Sequence, residues 1–218
     1  MFQKITEIEL YKSNVISLVK ALFSSPDGKV FERDVVRHLG AVSVVPLLAD
    51  QKTVLLLSQF RASLGRALFE VPAGKRDVAE EAPELTAVRE LEEEIGVKCS
   101  ELIRLGEFEN SPGFTDEHSF SYLALGMSTG KIAPQSIEER ESSIVAVTLD
   151  SVPELISRGT ITDAKTIIGL LRTSHFLSTK AGEREALYRR VWSLPDWSNG
   201  EPKDSDKVTA WSRTLMAL

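Results

Sequence analysis

A single cysteine, Cys99, in 218 residues excludes an internal disulfide and a cysteine-rich zinc site. No apolar run approaches the roughly 20 residues that a membrane-spanning helix needs. The opening stretch MFQKITEIELYKSNV carries acids and no long apolar segment, so it does not read as a secretory signal. An excess of basic residues is also missing. Lys and Arg number 26 against 32 Asp and Glu, for a formal net charge of −6, which disfavours nucleic acid or an anionic membrane as a partner. The three histidines, His38, His118 and His175, lie far apart and have no metal-ligand spacing. There is no G-x-S-x-G or P-loop pattern, and Cys99 has no motif partner, which sets aside a covalent nucleophile and an NTP cradle. Together these absences make a reducing cytoplasm the expected compartment.

What is present suits one domain with a modest extension, and 42% apolar residues suffice for a core. Residues 3–23 alternate loosely and read as one or two strands, and SPDG at 25–28 as a turn. FERDVVRHLG (31–40) is polar and mixed. AVSVVPLL (41–48) and TVLLLSQF (53–60) are strand-like by length and by Val and Leu content. Residues 61–74 read as a loop with a short strand, 84–95 as a helix with Gly96 at its C′ position, and 101–109, 119–126 and 144–149 as strands. A polar loop spans 128–143, helices cover 151–159 and 163–177, and EREALYRRVW is a brief basic helix-like stretch. Mixed strands with few helices predict an α+β domain. The expected division is N-terminal strands over 1–30, a main domain over 31–177, and a C-terminal extension over 178–218 carrying Trp192, Trp197 and Trp211 and a Pro/Gly/Asp-rich stretch at 195–206.

The segment AGKRDVAEEAPELTAVRELEEEIGV (73–97) holds the densest chemistry. On a helix, Leu85, Val88, Leu91 and Ile95 share one stripe and are predicted to face the core. Glu90 and Glu94 stack one turn apart on the opposite side, flanked by Glu93. Charge runs usually lie on a solvated surface, yet like charges at this spacing repel by a few tenths of a kcal/mol per pair, and Arg89 neutralises only part of that. A hard divalent cation would offset the repulsion, because Mg²⁺ prefers carboxylate oxygen and keeps several waters. Pro72-Ala73-Gly74 brings a tight backbone beside the helix, where the Ala73 carbonyl is a candidate further ligand.

This segment closely resembles the Nudix box, G-x5-E-x7-R-E-U-x-E-E-x-G-U with U aliphatic, which Gly74, Arg89, Glu90, Leu91, Glu93, Glu94, Gly96 and Val97 fit. One residue is inserted between the first two fixed positions: Glu80 meets the first spacing and Glu81 the second. Helix register favours Glu81 as the box glutamate, with Glu80 as the alternative. The resemblance implies a Nudix-type α/β/α sandwich around a mixed β-sheet, extending over roughly residues 30–172. It also implies helix glutamates that hold Mg²⁺, with Mn²⁺ as the alternative. Glu90 and Glu94 are then the main metal ligands, and Glu93 a ligand or the residue that holds Arg89 in place.

The flanks QFRASLGRALFEVPAGK, ENSPGFTDE (109–117) and DAKTIIGLLR are similar to those of ADP-ribose pyrophosphatases. That likeness implies hydrolysis of the ADP-ribose diphosphate to AMP and ribose 5-phosphate. Another nucleoside diphosphate sugar or a dinucleoside polyphosphate is the alternative substrate, and a non-catalytic ADP-ribose-binding Nudix module the alternative of another class. It implies substrate contacts at Arg61, Glu70, Gly74 and Gly113 of the Ser-Pro-Gly loop. Glu93, Glu94 and a loop glutamate are the expected catalytic groups. The loop SIEERESSI (136–144) offers Glu138, Glu139 and Glu141, of which Glu139 is preferred. A mobile loop suits a base that closes only over bound substrate. Relatives of this type commonly pair as homodimers through the N-terminal region, so a homodimer is expected.

Overall fold

The computed structural model describes residues 1–193. Its N-terminal strands β1 (Gln3–Lys12), β2 (Ile16–Ser24) and β3 (Val30–His38) form an antiparallel sheet in that order. Every residue of β1 is exposed. β3 occupies the segment whose charges hide any alternation in the sequence, and it pairs with β2 along all nine of its residues, from Ser24 opposite Val30 to Ile16 opposite His38. The N-terminal sheet therefore runs on to His38 rather than ending near residue 30. Backbone pairing and one-sided packing hold this strand in place of an apolar pattern.

The Val- and Leu-rich runs form the centre. β4 (Ala41–Pro46) is buried at all six residues. The chain continues through β5 (Thr53–Arg61), β6 (Arg66–Glu70) and the short β7 (Ala73–Lys75) into the helix α1 (Pro83–Ile95). β8 (Val97–Glu109) and β9 (His118–Thr129) follow, then the one-turn α2 (Ile137–Arg140), β10 (Ser143–Thr148), α3 (Val152–Ser157), α4 (Ala164–Ser178), α5 (Ala181–Leu187) and β11 (Arg189–Ser193). A five-stranded sheet has the order β11-β8-β9-β4-β7, and a three-stranded one the order β10-β5-β6. The β4–β9 pair is parallel and its neighbours antiparallel, so the sheet is mixed.

Strand alternation sends side chains to two cores. Val42, Val44, Leu55, Leu57, Tyr122 and Ala124 pack with Ala87, Leu91 and Ile95 of α1. Val45, Leu47, Val54, Leu56 and Leu123 pack with Leu170 and Phe176 of α4. Helix, sheet and helix thus form the expected three layers. Gly96 closes α1 at φ 67° and donates its N–H to the Glu92 carbonyl, a left-handed cap that glycine adopts without strain.

Two helix predictions are corrected by packing. Leu85 is 44% exposed; the buried face of α1 is Thr86, Ala87, Leu91 and Ile95, because the helix meets the sheet along a line rotated from the predicted stripe. Glu90 and Glu94 consequently lie on a flank against β7 rather than on the opposite face. The basic stretch after residue 182 is helical only to Leu187, and β11 then pairs with the edge of β8, whose free backbone groups reward extension. Trp192 belongs to β11. Trp197, Trp211 and the 195–206 stretch lie outside the described residues.

Leu91 is fully buried, so Leu91→Ala should cost about 2–5 kcal/mol in urea unfolding. Leu85→Ala should stay within about 0.5 kcal/mol of the parent protein.

Candidate active site

Gly74 sets the site's closest approach. A Cβ there would lie 2.0 Å from Glu90 Cδ, so only glycine lets β7 run against the acidic flank of α1. The neighbouring Ala73 N–H donates to Glu94 Oε2 at 2.9 Å. β7 is held from its other side by β4, with Gly74 opposite Val42 and Ala73 opposite Ser43. These elements form one wall of a cleft of about 570 Å³. Ala73, Gly74, Glu90 and Glu94 line it, as do Arg61, Glu139 and Lys165. A larger hollow of about 710 Å³ lies elsewhere, lined by apolar residues such as Leu47, Ile103 and Phe176 together with Glu101, Arg184 and Arg190. It gathers no carboxylate cluster and lacks the chemistry of the first cleft.

Arg89 organises the carboxylates. It donates to Glu90 Oε1 at 2.8 Å, to Glu93 Oε2 at 3.1 Å and to Glu81 Oε2 at 3.4 Å. Thr86 Oγ1 donates to the same Glu81 oxygen at 2.7 Å. Glu81 is thus drawn into the network, whereas Glu80 is exposed on a left-handed backbone at φ 62°. Burial lowers the affinity of Arg89 for its proton, but Glu90, Glu81 and Glu93 outweigh this and raise it. Burial pushes Glu90 up to about 7, with Arg89 opposing and Glu93 adding to the rise. Burial pushes Glu94 up to about 8, against the Ala73 N–H and helped by Glu90.

The Glu139 carboxylate is held by its own loop. Oε2 accepts from the Gln135 N–H at 2.6 Å and Oε1 from Ser136 Oγ at 2.9 Å, while the Glu139 N–H donates back to Ser136 Oγ at 3.1 Å. This is a capping arrangement around α2. Gln135 Nε2 also donates to Glu93 Oε2 at 2.7 Å, tying the loop to α1. Glu139 reaches the cleft and its charge acts on both Glu90 and Glu94. Neither Glu138 nor the exposed Glu141 lines the cleft.

A second wall is cationic. Arg61 on β5 donates from Nε to Glu70 Oε1 at 2.7 Å and from an Nη to Glu70 Oε2 at 2.6 Å. Glu70 is 1% exposed, so it lies behind Arg61 and does not itself line the cleft. Glu70 raises the Arg61 proton affinity against the burial penalty. Gly113 is exposed, with nothing within 4 Å of where a Cβ would sit, and the loop after β8 contributes Glu117 to the cleft instead. Sequence reasoning missed Lys165, Gln59, Gln135 and Ser136, all cleft-lining, and it set His38 aside with the other histidines although His38 lines the cleft too. The one local signal was Asp163 before α4, an N-cap that also places Lys165. His118 lies between Glu107 and Glu109, outside the cleft.

The residues present fit a divalent cation. Two oxygen donors whose burial leaves their charge under-compensated, Glu90 and Glu94, stand beside a glycine turn, and that deficit is what a hard cation supplies. Among the described residues no three His, Cys, Asp or Glu side chains close a metal site by themselves, so an ion here would keep water in its shell.

Over residues 37–170 the chain matches the family model for the NUDIX domain. The chain belongs to the NUDIX domain family. It is 36% identical to the ADP-ribose pyrophosphatase of Bacillus subtilis (strain 168) over 162 residues, 74% of this chain and 86% of that protein. It is 35% identical to the methanol dehydrogenase activator of Bacillus methanolicus over the same length and shares. A solved structure described as an ADP compounds hydrolase superposes with a TM-score of 0.70 at 18% identity, covering 84% of this chain and 96% of that one, which supports the α/β/α fold. No described helix is long and apolar enough to cross a membrane.

The raised carboxylates fix a pH dependence. Folded Glu90 and Glu94 keep protons that the unfolded chain, at the ordinary value of 4.5, has released. Their contribution to stability is therefore fully present below pH 4.5 and is lost as pH rises through 7 and 8. The melting temperature of chelator-treated protein should fall between pH 6 and pH 9. Glu94→Gln should shrink that fall, and excess divalent cation at pH 9 should reverse it.

Proposed function

We propose that this NUDIX-family chain is a Mg²⁺-dependent hydrolase that converts ADP-ribose to AMP and ribose 5-phosphate. The observation that carries the reading is one cleft holding both an acidic wall, Glu90, Glu94 and Glu139, and a cationic one, Arg61 and Lys165. A diphosphate carries its own negative charge, so it needs cations from protein and solution to enter. The likeness to an ADP-ribose pyrophosphatase selects the substrate within that class.

A divalent cation bound at Glu90 and Glu94 supplies neutralisation of phosphoryl charge and a more acidic water. The chain's own groups do the rest. Arg89 keeps Glu81, Glu90 and Glu93 in their places, so Glu93 serves as an anchor for Arg89 rather than as a free ligand. Ala73 and Gly74 hold β7 against α1. Glu139 accepts a proton from the attacking water, whose oxygen bonds one phosphorus while the bridging oxygen leaves on the other phosphate. A base on a loop tied to α1 through Gln135 is poised near the metal-binding flank without belonging to it.

We also propose a cytoplasmic homodimer. A ten-residue strand with no buried residue, displaying Ile5, Ile8, Leu10 and Tyr11, is a surface that a second copy would cover. The thiol of Cys99 is buried and free, in keeping with a reducing compartment.

Incubation with ADP-ribose and Mg²⁺ should release AMP, and a panel of nucleoside diphosphate sugars and dinucleoside polyphosphates at low concentration should give lower kcat/KM. Glu94→Gln should lower kcat by roughly a hundredfold or more, the scale of several kcal/mol of charge stabilisation, and Glu139→Gln by about 10²–10⁴. A Glu94→Gln protein that turns over normally would remove the metal assignment. Light scattering should give twice the chain mass, and removal of residues 1–12 should give a monomer.

A further inference from the structure

Arg61 is the cation that the sequence pattern assigns to the substrate, but its side-on edge is already occupied. Nε and one Nη bind the two Glu70 oxygens at 2.7 and 2.6 Å, and that carboxylate sits 1% exposed behind the guanidinium. Side-on pairing of this kind is the geometry in which arginine grips a carboxylate or phosphate most strongly. Arg61 therefore meets the cleft with its charge countered and only its end-on donors free.

Lys165 is also ion-paired, with Asp163 and at longer range with Glu70, but it spends fewer of its donors. Its Nζ donates to Asp163 Oδ1 at 2.8 Å, while Glu70 Oε2 stands 3.9 Å away, beyond hydrogen-bonding distance. An ammonium has three donors, so two remain for a ligand. The side chain keeps 21% exposure and lines the same cleft as Glu90, Glu94 and Glu139. Its tether is rigid: Asp163 also caps α4, accepting from the Thr166 N–H at 2.9 Å and from Thr166 Oγ1 at 2.8 Å. The same Thr166 Oγ1 accepts from the Val71 N–H at 2.9 Å, two residues before the Ala73-Gly74 turn. The ammonium is thus linked to the Ala73-Gly74 strand through a short series of part-buried and buried hydrogen bonds.

We propose that Lys165 is a substrate-binding residue whose ammonium holds a non-bridging phosphate oxygen of the diphosphate, across the cleft from the carboxylates, while Arg61 chiefly braces Glu70 and the cleft wall. This rests on the diphosphatase reading for its substrate class, but it assigns the phosphate contact to a residue from the last long helix rather than to the arginine of β5.

The test compares Lys165→Met and Lys165→Arg in the full chain, by steady-state kinetics with ADP-ribose and by calorimetric binding of ADP. Lys165→Met should raise KM roughly tenfold or more and weaken ADP binding by a similar factor, with a smaller change in kcat. Lys165→Arg, which keeps the charge, should recover most of the ADP affinity. Both variants should melt within a few degrees of the parent protein. Unchanged KM and ADP affinity in Lys165→Met would overturn the proposal. So would a parallel loss of melting temperature and ADP affinity in both variants, which would mark a structural role. If the parent protein releases no AMP from ADP-ribose yet Lys165→Met still weakens ADP binding, the substrate reading fails and the phosphate contact stands.

Discussion

The close approach of β7 to the acidic flank of α1 is the constraint on which the site depends. Gly74 has no Cβ, and a Cβ there would sit inside the Glu90 carboxyl group. That single missing methyl lets the turn backbone reach Glu94 through the Ala73 N–H and withdraws both glutamates from water. Desolvation then raises their proton affinity and creates a demand for positive charge that Arg89, already shared among Glu81, Glu90 and Glu93, cannot meet. Two well-packed cores, one under each face of the sheet, hold this unfavourable cluster together. The scaffold is stable enough to bear this unsatisfied charge, a combination typical of functional sites.

Much of that scaffold was legible because local chemistry and global packing agree. The Val and Leu runs became β4 and β5, and Gly96 capped α1 at a left-handed backbone as its position implied. Arg89 reaches Glu81 and not Glu80. What was not legible depends on partners distant in sequence. β3 is a strand because β2 pairs with it, although its own charges mask the alternation. Leu85 lies outside the core because of the angle at which α1 crosses the sheet, and no helical wheel contains that angle. Lys165 reaches the cleft only because α4 docks beside β6, and Glu70 lies behind Arg61 only because β5 and β6 pair.

The two walls differ in how they are made. The acidic wall is local apart from Glu139, with Glu90 and Glu94 gathered within the span from Ala73 to Glu94. The cationic wall is assembled from β5, β6 and α4, roughly a hundred residues apart along the chain at its extremes. The box motif contains Glu90 and Glu94, the flanking resemblance reaches Arg61, and neither singles out Lys165. On such a scaffold, residues that line the cleft from outside the motif are free to vary without disturbing the acidic helix.

The hydrogen bond from the Val71 N–H to Thr166 Oγ1 joins the link between β6 and β7 to a helix that is made much later. A ribosome synthesising this protein therefore exposes its acidic helix well before the cleft exists. Arg61 and the carboxylates of α1 are made first, and the cleft lacks Lys165 until the chain extends into α4 and that helix docks. The complete lining of the cleft is therefore among the last features the folding domain acquires.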